Sequence, residues 1–391
     1  MRVLVLSFYY PPDIGPGSLR AKSIVDSLLQ EGPSNLNIDV ITTMPNRYHS
    51  LNVLAPKYEK TSKFCINRIH LPKHHNGIFD QAKAFLLFSF AVRKLISKKK
   101  WDIVIATSSR LMTACLGTYI AKRTNSKFYL DIRDLFTDTI NDILKNNFLK
   151  ILMPIFYMIE KWTFQSADKL NVVSDGFLDY IKKVAPNLTP STYTNGVDTT
   201  FFKSDFLSKQ IKSKPLILYA GNIGDGQGLH KIIPHAASTF RDIQFRLIGD
   251  GSKKDLLINN DLLKLQNNIE ILAPVLREEL ISEYKKADIL FLHLNNYKAF
   301  EKVLPSKIFE YAATGKPILA GVSGYAAKFL KDIVKGTEVF DPCDLNSMKS
   351  GLEKLLNGPK VIDRSEFCSR FSRNEIMKKL AKDILSLSKN T

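Results

Sequence analysis

Ten short runs rich in Val, Ile, Leu and Phe recur along the 391 residues, with helical patterns between them. The first five are Val3–Ser7, Ile38–Thr42, Ile103–Ala106, Phe128–Asp131 and Lys169–Val173. The second five are Leu216–Ala220, Gln244–Ile248, Ile269–Leu272, Ile289–Leu292 and Pro317–Ala320. Most are continuous rather than alternating with polar residues, which suits parallel strands buried on both faces. Helical patterns such as Leu19–Leu29 and Glu278–Lys286 supply the crossovers that parallel strands require. The series breaks once, at Pro186–Lys214, where Pro186, Pro190 and Gly196 interrupt periodicity and Pro215 follows. The pattern predicts an α/β chain of two doubly wound, Rossmann-like domains facing a cleft. Their bounds are residues 1–190 and 215–372, with a linker over 191–214 and a last helical pattern, Asn374–Leu387, in the segment 373–391.

Charge narrows the partners. Lys and Arg number 56 against 38 Asp and Glu, a net charge of +18. The excess is +10 in residues 1–200 and +8 in 201–391, so no single tail carries it. An anionic partner follows: nucleic acid, a phosphorylated ligand or an acidic membrane surface. The dispersed basic residues and the lack of a recognition motif argue against nucleic acid. Cys65, Cys115, Cys343 and Cys368 form no CxxC pair, so no zinc or redox signature is present. Adjacent His74 and His75 fall in a loop, no HExxH occurs, and His230, His235 and His293 read as core or surface residues. The N-terminus is too short for a signal-peptide core. The longest apolar runs, near Ala84–Val92 and Ile151–Ile159, fall short of the ~20 residues of a membrane span, which leaves a peripheral position open.

Three stretches carry chemistry. After the first strand comes Tyr9-Tyr-Pro-Pro-Asp-Ile-Gly-Pro-Gly-Ser18, in which Gly15, Pro16 and Gly17 let backbone approach a ligand and Ser18 is placed to cap the next helix. The dinucleotide pattern GxGxxG is incomplete here, and a plain strand–helix turn is the alternative. The second domain opens with Gly221-Asn222-Ile-Gly224-Asp-Gly-Gln227-Gly228, whose backbone N–H groups and following helix suit a phosphate. A further turn at Gly249 follows the next strand. The third stretch runs Pro305-Ser306-Lys307-Ile-Phe-Glu310, where Pro305 and Ser306 start a helix. Lys307 is suited to a phosphate, and Glu310 to the two hydroxyls of a ribose. A surface ion pair at i, i+3 is the plainer account of both.

Together these stretches resemble the retaining glycosyltransferases of family 4, with GT-B architecture. The resemblance rests on FYYPPDIGPGS, TNGVD, YAGNIGDGQGL, RLIGDG and PSKIFEYAATGKPILAG, in that order along nearly the whole chain. It is nearest to the bacterial surface-polysaccharide branch, which includes N-acetylfucosamine and N-acetylquinovosamine transferases. It implies a UDP-sugar donor held by the second domain, with Glu310 on the ribose, with Lys307 and the turn at Gly221, Asn222, Gly224, Gln227 and Gly228 on the pyrophosphate, and with Gly249 and Ser306 as further donor-binding residues. It implies that Gly15, Pro16 and Gly17 lie against the diphosphate and acceptor. The segment Leu130-Asp-Ile-Arg133-Asp134-Leu resembles the branch's E-x-R-D-L-W element, which makes Arg133 and Asp134 candidates near the reacting sugar. It further implies no cofactor and no metal, a polyprenyl-diphosphate-linked glycan acceptor, a C-terminal helix returning to the first domain, and a cytoplasmic enzyme on the inner face of the inner membrane.

The chain departs from the family in two places. Lys302 stands eight residues before Glu310, where many members carry a glutamate, and Glu301, one position away, is the catalytic candidate to replace it through a shifted loop, with a surface carboxylate beside Lys302 as the plainer account. The customary Gly-Arg and Lys-Gly pairs of the second-domain turn read Gly221-Asn222 and Gln227-Gly228. Both basic residues are replaced by amides, which leaves a non-catalytic or epimerase-like protein of the same architecture as the alternative. Phe79–Lys100, aromatic and ending in a basic cluster, and Leu149–Phe164 are candidates for contact with an anionic membrane surface.

Overall fold

A computed structural model describes residues 1–46, 54–72, 78–108, 110–143, 150–202, 206 and 214–390. The described chain divides into two compact units, Met1–Asn195 with Asn374–Thr391, and Gly196–Arg373. His74 and His75 lie outside the described residues.

The first unit is built on eight strands: β1 (Arg2–Leu6), β2 (Asn37–Thr43), β3 (Tyr58–Lys60), β4 (Phe64–Ile69), β5 (Ile103–Thr107), β6 (Lys127–Ile132), β7 (Lys169–Val172) and β8 (Ser191–Thr192). Their spatial order is β3-β4-β2-β1-β5-β6-β7-β8, parallel except for β3 against β4. Val3, Val5, Ile38, Val40, Ile103 and Ile105 pack on Ala21, Ile24, Val25 and Leu28 of the helix Pro16–Glu31. The i, i+3, i+4, i+7 spacing of those four makes one apolar stripe. Met377, Leu380, Ala381 and Ile384 repeat it in the C-terminal helix Arg373–Leu385, which covers the same core. Each fully buried Val, Ile, Leu or Met side chain among these contributes about 1.5–3 kcal/mol relative to exposure.

The second unit carries β9 (Leu216–Asn222), β10 (Gln244–Asp250), β11 (Ile269–Leu272), β12 (Ile289–His293), β13 (Ile318–Gly321) and β14 (Thr337–Phe340). The order is β11-β10-β9-β12-β13-β14, with every pair parallel. In each sheet the chain first winds outward on one side of the initial strand and then resumes on the other. The strand order therefore reverses between β1 and β5, and between β9 and β12. Ligands of open parallel sheets bind beyond the carboxyl ends of the strands at such a reversal.

The structure corrects the expectation of five strands per domain: among the described residues there are eight and six. The additional strands are peripheral. β4 mixes Asn67 and Arg68 into its apolar residues, β14 reads Thr-Glu-Val-Phe, and β3 and β8 have three and two residues. β3, β8 and β14 are edge strands, half-solvated, so continuous apolarity does not mark them, and β4 lies one place in, between β2 and β3. Ser18 is also not a cap. Pro16, pre-set for a first helical position, starts the helix with Gly15 at the N-cap, and Ser18 lies buried within the first turn. Within 191–214, read as a linker, several of the described residues take part in the units. Ser191 and Thr192 pair with β7, Val197 bridges Ser372, and Phe201 and Phe206 enter the second unit's core.

Candidate nucleotide-binding and membrane-facing sites

The turn after β9 sits at the second unit's reversal point and closes upon itself. Gly228 adopts φ 61°, where glycine is favoured, and a Cβ there would lie 3.1 Å from Asn295. Gly249, paired with Gly221 across β9 and β10, allows backbone contact, since a Cβ there would lie 1.8 Å from Gly221 O. Gly224 leads into a short turn at Asp225–Gln227, and the helix Leu229–Thr239 follows. Asn222 Nδ2 donates to Gln227 Oε1 at 2.7 Å, and the Gly224 N–H donates to the same oxygen at 3.3 Å. The two amides that stand where basic residues were expected thus pair with each other across the turn. Cations lie beside it. Lys231 Nζ donates to Asn295 Oδ1 at 2.8 Å, and Lys253 Nζ lies 3.9 Å from Asp225.

Lys307 and Glu310 occupy the first turn of the helix Lys307–Ala313, which connects β12 to β13. Lys307 Nζ donates to Glu310 Oε2 at 2.7 Å and to Tyr284 OH at 2.9 Å, and Tyr284 OH donates to Glu310 Oε2 at 3.1 Å. The plain i, i+3 ion pair is therefore present, but it is no surface pair: Glu310 is 9% exposed and Tyr284 is fully buried. Oε1 faces Arg277 Nη1 at 3.7 Å. Arg277 also pairs with Asp198 at 3.0 Å, and Arg373 pairs with Asp198 at 2.9 Å. Burial pushes the Glu310 carboxyl up, but Lys307, Arg277 and Arg373 outweigh it and hold it below the usual carboxylate range. Burial and Glu310 together push the Tyr284 phenol well up, so it stays a donor. The cluster presents an ionised carboxylate whose Oε2 accepts from Lys307 and Tyr284 and whose Oε1 faces Arg277.

Ser306 precedes this helix in αR conformation, with no capping hydrogen bond from its side chain. Glu301 lies in a separate short turn, Lys298–Lys302, with its side chain exposed. Its carbonyl packs against the start of the helix Gly324–Ile333, where a Cβ at Gly324 would come within 2.1 Å of it. Glu301 is not bonded to Lys307 or Glu310.

In the first unit, Gly15, Pro16 and Gly17 lie at the β1/β5 reversal. Arg133 and Asp134 follow β6, with Arg133 half-buried and Asp134 exposed. The Arg133 N–H donates to Ser108 Oγ at 3.1 Å, which ties the turn after β6 to the turn after β5. Arg20, one turn into the first helix, grips Asp131 with two hydrogen bonds of 2.8 Å. Both loops are thereby braced on one buried ion pair.

Two helices of the first unit expose apolar faces. Leu86, Leu87 and Phe90 point outward from Ile78–Ile96, with Lys83, Arg93 and Lys94 on the same face. Ile151, Ile155, Met158 and Trp162, spaced four, three and four apart, form an outward stripe along and just before Met153–Gln165. Among the described residues no helix is long and apolar enough to cross a membrane.

Arg277, Tyr284, His293 and Asn295 had no motif to announce them. Asp198 lies in the TNGVD run, but its ion pairs with Arg277 and Arg373 are contacts of tertiary structure.

Residues 202–376 match the family of glycosyl transferases group 1. Over 389 residues, 92% of this chain and 93% of the relative, the sequence is 23% identical to WcaI of Escherichia coli (strain K12), assigned as a colanic acid biosynthesis glycosyl transferase. WaaG, a glycosyltransferase involved in lipopolysaccharide biosynthesis, superposes with TM-score 0.63 and 14% identity over 100% of this chain and 98% of its own. Anabaena HepE, solved with UDP-glucose, superposes with TM-score 0.60 and 12% identity over 100% of this chain and 98% of its own. These likenesses identify the architecture as GT-B.

Proposed function

We propose, from the premise that residues 202–376 form a glycosyl transferases group 1 domain, that the protein transfers a sugar from a UDP-sugar to a membrane-lipid-linked glycan in surface-polysaccharide synthesis. The observation that carries this reading is the second unit's reversal point, where a glycine-rich turn before a helix and the Lys307–Glu310 pair follow β9 and β12. The roles of WcaI and WaaG support the pathway class, and HepE with UDP-glucose supports the donor class. The family resemblance supports an N-acetylated hexosamine or deoxyhexosamine, a polyprenyl diphosphate on the acceptor and a metal-independent reaction. A fold alone does not select a reaction, so the residues must.

In this reading the transfer retains anomeric configuration. The bond from the anomeric carbon to the diphosphate breaks as the acceptor oxygen bonds to the same face, and the departing diphosphate takes the acceptor's proton. The protein stabilises charge growing on the diphosphate, through the turn's backbone donors and Lys307. Glu310 Oε1 receives ribose hydroxyls. Arg133, Asp134 and Glu301 are the candidates around the sugar, where an oxocarbenium-like centre favours a nearby carboxylate. The exposed apolar stripes and their lysines would lay the first unit on an anionic membrane surface, on the cytoplasmic side, where a lipid-linked acceptor resides.

The test is thermal shift with UDP and a panel of UDP-sugars, in EDTA, followed by transfer to a polyprenyl-diphosphate-linked acceptor. Stabilisation by UDP that is lost in Glu310→Ala, together with product of retained configuration, supports the reading. Binding without turnover identifies a non-catalytic relative, and release of an epimerised sugar nucleotide identifies an epimerase.

A further inference from the structure

Three successive carbonyls of the turn after β9 are held from behind by two residues at the end of β12. Asn295 Nδ2 donates to Asp225 O at 2.8 Å, and the Asn295 N–H donates to Gly226 O at 2.8 Å. His293 Nδ1 lies 2.6 Å from Gln227 O. A carbonyl only accepts, so Nδ1 carries the hydrogen. On the other side of the ring, Nε2 lies 3.0 Å from the Cys343 N–H, which only donates, so Nε2 accepts. Geometry therefore selects one neutral tautomer. His293 and Asn295 are each 1% exposed. The imidazole packs beside the Phe291 and Phe340 rings, with centroids 5.9 and 5.8 Å away. Gly321 makes room for it, since a Cβ there would lie 2.3 Å from His293 Cδ2.

In a planar trans peptide the N–H points opposite to the C=O. Turning the carbonyls of Asp225, Gly226 and Gln227 inward therefore turns the N–H groups of Gly226, Gln227 and Gly228 away from β12. Among the described residues the Gln227 and Gly228 donors make only the turn's own contacts, 3.3 Å to Gly224 O and 3.1 Å to Asp225 O. Asn222 and Gln227 bring no charge to this turn, so its attraction for an anion rests on the aim of its backbone dipoles together with Lys231 and Lys253 beside it.

We propose that His293 and Asn295 are positioning residues that clamp this turn in its diphosphate-binding conformation without touching the ligand. The inference rests on reading the turn as the diphosphate site. The Lys231 ammonium, held on Asn295 Oδ1, belongs to the same clamp and sets a cation beside the turn. Cys343, whose N–H meets His293, extends the clamp to the loop after β14.

The experiment is calorimetric titration of the full chain with UDP, paired with amide exchange at Gly226–Gly228. His293→Leu removes both ring hydrogen bonds and is expected to weaken UDP by about tenfold or more and to speed exchange at the turn. His293→Asn keeps a donor near the Nδ1 position and is expected to recover most of the affinity. Wild-type affinity and exchange in His293→Leu overturn the clamp. Should that variant fail to fold, Asn295→Ala decides on the same two readouts. Absence of UDP binding by the wild-type protein is seen before any variant is made and overturns the diphosphate reading, and the clamp with it.

Discussion

Arg20 and Asp131 form a two-pronged ion pair in the core of the first unit, with Nε and Nη2 each 2.8 Å from a carboxylate oxygen. Asn171 Nδ2 adds a third donor at 2.7 Å, and the remaining Arg20 donors reach Tyr193 O and Thr194 O. The pair joins the helix that begins at Gly15–Gly17 to the strand that leads to Arg133. Removing one partner strands the other charge in the core. Arg20→Met is expected to cost about 3–5 kcal/mol, and Arg20→Met with Asp131→Leu to recover part of it. Urea unfolding checks this. A single variant within 1 kcal/mol of wild type would contradict it, by the usual scale of such losses.

Lys307 and Glu310 should separate kinetically although they touch. Lys307→Ala is expected to lower kcat by about 10–100-fold, because a lysine facing the diphosphate matters most as charge develops. Glu310→Ala is expected mainly to raise the donor KM, because ribose contacts are the same in ground and transition states. Steady-state kinetics with a varied donor distinguish the two. Unchanged constants in both variants would return the pair to a purely structural role.

Acid should weaken the fold through His293. Burial pushes this imidazole down to about 4, Lys231 and His230 add to the effect, and the Gln227 carbonyl opposes it. Lys231 and His230 are the titratable groups that act on the ring. The folded value lies below the unfolded value of about 6.5. The stabilisation is therefore complete above pH 6.5 and is lost as pH falls toward 4. The loss reaches about 3 kcal/mol at most, at 1.36 kcal/mol per pH unit. Urea midpoints from pH 7 to 4 should fall less steeply in His293→Asn than in wild type. Parallel curves would show that another group carries the slope.

Gly249 is a steric prediction. With Gly221 O occupying the place of its Cβ, Gly249→Ala must push β9 and β10 apart at their carboxyl ends. A cost of about 1–3 kcal/mol, typical of overpacking, is expected, together with weaker UDP binding. Differential scanning calorimetry and titration check both.

The apolar stripes predict salt-sensitive adsorption. Wild-type protein should float with vesicles containing anionic phospholipid at low salt and less at high salt, each lysine near the surface adding about 1 kcal/mol. Ile155→Glu with Met158→Glu should release it while leaving UDP binding intact. Flotation unchanged by both substitutions would remove this face from membrane contact.

Most of the architecture was legible because central parallel strands are buried on both faces and read as continuous apolar runs. The stretch Ile269–Leu272 was delimited to the residue, and the central strands to within one or two. β14, with Thr337 and Glu338, was not legible, since a half-exposed edge carries polar residues that also suit loops, and β4, one place in from an edge, was hidden by Asn67 and by Arg68, a buried cation that finds its partners at Pro56 O and Pro11 O only in the fold. The glycine-rich turns were visible as composition, and Lys307 and Glu310 as spacing. Their burial against Tyr284 and Arg277 was not.

Alone, the sequence determined the strand–helix alternation, the two-unit division and the chemical types available at each turn, because these are local properties of residue pattern. Only the tertiary structure decided which of those residues meet. His293 reaches Gln227 across 66 residues and Asp131 reaches Arg20 across 111. Such contacts are chosen by strand order and by the need of each buried polar atom for a partner, and neither is written in any local stretch of chain.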